Sequence, residues 1–138
     1  MADSKSMKVL IVDDSSLFQK MLVGLFSEFI DFTPVICHNA SEGLAKLQSI
    51  DINFVCVSMY LDDSDGIAFT RKTRTLNKYK NTPVVLFTSE ESKDLYVEAL
   101  SSGVTEVFHK QDIDELVNFF QRFTLQQQPI SGRILYVE

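Results

Sequence analysis

Short apolar runs alternate along this chain with longer stretches in which apolar residues recur at helical spacing. The runs at 8–12, 33–37, 53–57, 83–87 and 104–108 are rich in Val, Ile and Phe and predict strands. Between the first two runs, Leu17, Phe18, Met21, Leu22, Leu25, Phe26 and Phe29 fall three to four positions apart, which gives a first helix one broad apolar face assigned to the core. Asp14 or Ser15 is placed to cap that helix, Asn39 or Ser41 the next, and Ser89 a segment starting near Glu90. Gly103 stands where a helix would end in a left-handed residue, and Pro83 opens its strand, where a missing N–H is tolerated. A last helix near 112–123 completes five strands and five helices. Strands alternating with helices are the signature of βαβ units on a parallel sheet, an α/β fold, although the pattern alone does not give the strand order.

A chain of 138 residues with 45% apolar and 23% charged residues has enough material for one packed core. Cys37 and Cys56 lie inside apolar runs and not in a C-x-x-C spacing, so they are read as buried reduced thiols. With no charged-then-apolar leader and no apolar stretch near the ~20 residues that span a bilayer, the expectation is a cytoplasmic protein without membrane contact. The net charge is −6 and the basic residues are scattered, apart from a small cluster from Arg71 to Lys80, so nucleic-acid binding is not expected.

Near the end, Arg133-Ile134-Leu135-Tyr136-Val137-Glu138 repeats the character of Lys8 to Asp13 after a polar spacer, Gln126-Gln127-Gln128-Pro129. Residues 1–124 are therefore read as one domain. Residues 125–138 are read as a linker and the first strand of a following, truncated domain of the same kind, which makes the natural protein longer and multidomain.

The strand ends carry the candidate chemistry. The first run ends in Asp13-Asp14, the third in Ser58, the fourth in Thr88, and the fifth leads to Lys110. Side chains at the ends of adjacent parallel strands converge. Paired carboxylates offer hard oxygen ligands to Mg²⁺, while a hydroxyl and an ammonium suit phosphoryl oxygens. With the turn Asp63-Ser64-Asp65-Gly66, these residues resemble the receiver domain of two-component response regulators over roughly residues 7–124. The resemblance implies a flavodoxin-like, doubly wound five-stranded sheet of order 2-1-3-4-5 with five helices and a site beyond the carboxyl ends of the strands. It also implies that Asp13, Asp14 and the Tyr60 carbonyl match the metal ligands, Thr88 the switch hydroxyl and Lys110 the phosphate-pairing lysine.

Eight positions before Gly66, where the family carries its phosphoacceptor aspartate, stands Ser58. A serine hydroxyl is a poor nucleophile without a positioned base, and neither His38 nor His109, both read as edge or surface residues, is placed to be one. The change also removes a carboxylate from the metal site, so no cofactor is expected beyond weak or vestigial Mg²⁺ binding. Val107 occupies the position of the family's aromatic switch, and Phe108 beside it faces the other side of the strand. Gln111 replaces the proline that usually follows the lysine, so a trans peptide is expected after Lys110. Asp62, Asp63 and Asp65 are read as solvated loop charges.

These residues describe a pseudo-receiver: a non-enzymatic two-component signalling module that cannot accept phosphate at Ser58. It is expected to act through an adjacent receiver or output domain in the same chain, or through a protein partner or homodimer at the face of the fourth helix, fifth strand and fifth helix. The alternatives are a working receiver with another acceptor, Asp62 or Asp13, and a small metal-dependent phosphohydrolase.

Overall fold

The computed structural model describes residues 6–28 and 31–126. Five strands, β1 (Met7–Val12), β2 (Phe32–Cys37), β3 (Phe54–Ser58), β4 (Val84–Thr88) and β5 (Glu106–His109), form one parallel sheet in the order β2-β1-β3-β4-β5. The helices are α1 (Ser16–Ser27), α2 (Ala40–Ser49), α3 (Gly66–Thr75), α4 (Lys93–Ser101) and α5 (Ile113–Gln126). This is the flavodoxin-like architecture expected above. The proposed first strand of a second domain, within 127–138, lies outside the described residues.

Period-two alternation sends neighbouring residues of the central strands to opposite faces. Leu10, Val12, Val55, Val57 and Leu86 join Leu47, Phe69 and Ala99 in one core layer. Val9, Ile11, Phe54, Cys56, Val85 and Phe87 join Phe18, Leu22, Phe26, Leu116 and Phe120 in the other. Because helices cover both faces, β3 and β4 are buried along their whole length. The second layer is an aromatic lattice. Phe26 lies 4.6 Å from Phe120, Phe54 4.6 Å from Phe120 and Phe18 5.1 Å from Phe87, the last two edge to face. Both cysteines are free and buried, and burial pushes the Cys37 thiol up to about 11.

Three local expectations need correction. The apolar face of α1 is narrower than the sequence suggests: Phe18, Leu22 and Phe26, each four residues apart, face the sheet, whereas Leu17 (71%) and Met21 (46%) are exposed. The cap of α4 is Ser92, which accepts from the Leu95 N–H, and not Ser89, so the helix begins at Lys93. The fifth strand begins at Glu106 and not at 104. Val104 completes the end of α4 instead, donating to the Ala99 carbonyl just after Gly103, whose φ of +110° is the left-handed geometry that a helix stop requires. The caps at Ser15 and Asn39 are as expected, and α5 continues to Gln126. Among the described residues, no helix is long and apolar enough to cross a membrane.

Candidate functional site

The sheet order places β1 between β2 and β3, so the connections leaving β1 and β3 depart to opposite sides and open a crevice at their carboxyl ends. Asp13 follows β1 directly and is buried. Its backbone is fixed by its N–H, which donates to the Cys37 carbonyl at 3.0 Å, and by the buried Gln19 amide, which donates to the Asp13 carbonyl. The carboxylate is enclosed by three donors. The Ser15 N–H reaches Oδ1 at 2.8 Å, the Ser58 Oγ donates to Oδ2, and the Lys110 ammonium lies 3.2 Å from the same Oδ2. Lys110 also sits over the Phe18 ring, 4.4 Å from its centroid. Asp13, Ser58 and Lys110 are thus brought together as the strand-end pattern predicts, and each satisfies another.

Asp14 is not part of this cluster. It is exposed on the rim, where partial desolvation, then a hydrogen bond with the Asp62 carboxyl and the charges of Asp62 and Asp13, hold its carboxyl above the usual value. The acidic loop is consequently more than a set of solvated charges. Asp63 accepts from the Ala40 and Ser41 N–H groups at 2.9 and 3.0 Å, which ties the loop to the start of α2 and lowers the Asp63 carboxyl below its ordinary value. Asp65 caps α3 through the Ala68 N–H at 2.8 Å. Gly66 is required by close approach: a Cβ there would stand 2.5 Å from the Ser58 carbonyl oxygen.

Thr88 is buried at the end of β4, its Oγ1 accepting from the Glu90 N–H at 3.0 Å. Between Ser58, Thr88 and Lys110 lies a cleft of about 70 Å³, walled by Tyr60 and Ser89. The Tyr60 side chain is exposed, and its hydroxyl donates to Glu90 at 2.7 Å, joining the loops after β3 and β4 across the mouth; that bond holds the phenol above its usual value. Val107 packs into the α2–α3 layer and Phe108 into the α1–α5 layer, on opposite faces as predicted. The Lys110–Gln111 peptide is trans. His38 is exposed beside Glu42 at 3.6 Å. His109 braces its loop, with Nε2 3.0 Å from the Ser89 carbonyl and Nδ1 accepting from the Gln111 N–H. Among the described residues, no group of three or more His, Cys, Asp or Glu side chains is arranged to hold a metal ion.

Sequence reasoning missed Gln19, Phe18 in its role beneath Lys110, and Glu90. A glutamine inside an apolar helix face was the one visible signal among them.

Residues 9–121 match the family described as the response regulator receiver domain. The chain belongs to the response regulator receiver domain family. The receiver is 31% identical over 107 residues to the protein-glutamate methylesterase/protein-glutamine glutaminase 3 of Rhodospirillum rubrum, covering 76% of this chain but only 28% of that protein. It is 28% identical over 98 residues to the chemotaxis protein CheY of Pseudomonas aeruginosa, covering 71% of this chain and 79% of that one. Among solved structures, the chemotaxis protein CheY4 of Vibrio cholerae superposes with a TM-score of 0.78 at 25% identity, covering 85% of this chain and 98% of that one.

Proposed function

We propose that this receiver is a pseudo-receiver, a signalling module that transmits through protein contacts and not through an aspartyl phosphate at the end of β3. The observation that carries this reading is the closed set formed by Ser58, Asp13 and Lys110. The hydroxyl at the acceptor position is committed to Asp13, and the lysine that would pair with phosphate is committed to the same carboxylate oxygen. Among the described residues, the base in contact with the Ser58 hydroxyl is Asp13, whose carboxylate is already acceptor to the Ser15 N–H and the Lys110 ammonium as well.

The same arrangement fits a divalent cation poorly. Mg²⁺ needs a near-octahedral set of free oxygens. Here Asp13 Oδ2 already holds an ammonium, and Asp14 turns to Asp62. Asp13, Asp14 and the Tyr60 carbonyl are on this reading a vestigial metal site, Thr88 and Lys110 a vestigial phosphate pocket, and Val107 a switch position without a ring to rotate.

The module is a binding unit and not an enzyme, and its partner is an adjacent receiver or output domain or a separate protein. Tyr96 (42%), Val97 (62%) and Leu100 (38%) of α4 support the α4–β5–α5 face as the contact surface, since they leave an apolar strip uncovered. A second reading, phosphorylation at Asp62, rests on the exposed position of that carboxylate at the rim beside Asp14. Incubation with Mg²⁺ and a small acyl-phosphate donor, followed by intact-mass measurement, distinguishes the two. The pseudo-receiver gives no adduct, whereas an adduct that disappears in Asp62→Asn establishes the second reading.

A further inference from the structure

At the opposite pole of the sheet, about 16 Å from Ser58 along β3, a cleft of about 490 Å³ opens between the segment before β3 and the one before β4. That volume lies within the range of small-molecule sites. Its walls are braced from behind. The buried Tyr79 hydroxyl lies 2.6 and 2.8 Å from the Leu47 and Ile50 carbonyls and accepts from the Ile52 N–H at 3.3 Å. Arg74 donates to the Tyr79 and Thr82 carbonyls at 2.7 and 2.6 Å, and Asn53 is paired with the Lys8 backbone through both its N–H and its carboxamide oxygen.

The groups presented into this cleft are cationic and amidic. Of the basic cluster Arg71, Lys72, Arg74, Lys78 and Lys80, Arg71 is paired with Glu98, Arg74 is absorbed by carbonyls and Lys72 lies outside the cleft with its charge felt at Asp63, so Lys78 and Lys80 are the two that line it. Lys78 holds the exposed Asp51 at 2.8 Å, a pair open to competition, and Lys80 has no ion-pair partner among the described residues. The carboxamides of Asn77 and Asn81 likewise have no hydrogen-bond partner among the described residues. Met7, Ile52 and Pro83 supply an apolar floor between them. In a chain of net charge −6, this concentration of ammonium groups runs against the overall sign.

We propose that this cleft is a binding site for a nucleoside phosphate. Compact ammonium groups suit the phosphate charge, the paired donor and acceptor atoms of the two free carboxamides suit the edge of a heterocycle, and the floor suits its face. The test is titration of the ¹⁵N-labelled 138-residue chain with ADP, and separately with adenosine and with inorganic phosphate, following the backbone amides. ADP should produce saturable shifts at Asn53, Asn77 and Lys78 to Thr82, with each half binding more weakly than the whole. Lys80→Gln should weaken ADP binding about ten-fold through loss of a charged hydrogen bond, while Lys93→Gln on α4, outside the cleft, should leave it unchanged. Unaltered thermal unfolding of both variants keeps the comparison one of binding alone. Absence of saturable shifts at millimolar ADP, shifts confined to the Ser58–Lys110 end, or inorganic phosphate binding as tightly as ADP would each overturn the assignment.

Discussion

Replacing Ser58 with aspartate should invert the response of this domain to Mg²⁺. The wild-type hydroxyl is a donor to Asp13 Oδ2 in a setting where Ser58 is 2% exposed. A carboxylate in its place offers only acceptors, so two anions would share one ammonium. Unit charges about 4 Å apart repel by ~4 kcal/mol at an effective dielectric of ~20. Lys110, 3.2 Å from Asp13 and 28% exposed, can turn toward both and offset roughly half of this. The variant should therefore lose about 2 kcal/mol in the presence of EDTA, a sizeable part of an ordinary 5–15 kcal/mol of stability and roughly 6 °C in Tm. The new carboxylate also supplies the missing oxygen ligand, and a cation at a hundredfold its Kd returns about 2.7 kcal/mol. Calorimetric melting in EDTA and in excess MgCl₂ should show Ser58→Asp below wild type in the first and level with or above it in the second, with wild type unmoved. Equal stability of the two proteins in EDTA would refute the contact between position 58 and a buried carboxylate. A wild-type gain as large as the variant's would refute the claim that Lys110 and Ser58 hold the site closed to the cation.

Tyr79→Phe removes a buried hydroxyl that serves the Ile52 N–H and the Leu47 and Ile50 carbonyls, and should cost about 1–3 kcal/mol in urea unfolding with an unchanged m-value. Asp63, held below its ordinary 3.8 by the Ala40 and then the Ser41 N–H groups, contributes stability that is present above the unfolded value and lost as pH falls through the lower folded one. Wild type should accordingly exceed Asp63→Asn by a constant margin at neutral pH, a margin that shrinks below about pH 4 and is read from unfolding curves at stepped pH.

Much of the architecture was legible because strand and helix periods differ so clearly here, and because Val107 and Phe108 had to part company across the strand. The sheet order came only with the family resemblance, since periodicity carries no information about neighbours. Local misreadings share a cause: a side chain's partner lies far away in sequence. Leu17 and Met21 belong to the same helical period as Phe18 and Leu22, and only the angle at which α1 meets the sheet decides which pair is covered. Asp63 looked solvated because the N–H groups that it satisfies are 23 and 22 residues away. Ser58 itself was visible at once, yet its bond to Asp13, 45 residues earlier, needed the folded chain.

The aromatic lattice lies on one side of the sheet, between it and α1 and α5, while the other side is filled mainly by branched aliphatic residues together with the buried rings of Phe69 and Tyr79. Rings that meet edge to face constrain one another's orientation, a constraint that aliphatic contacts do not impose. The two faces of the sheet are thus packed by different means: interlocking rings beneath α1 and α5, mainly aliphatic contacts toward α4. On the pseudo-receiver reading proposed above, a partner docking on α4 would press on the aliphatic layer and not on the interlocked rings.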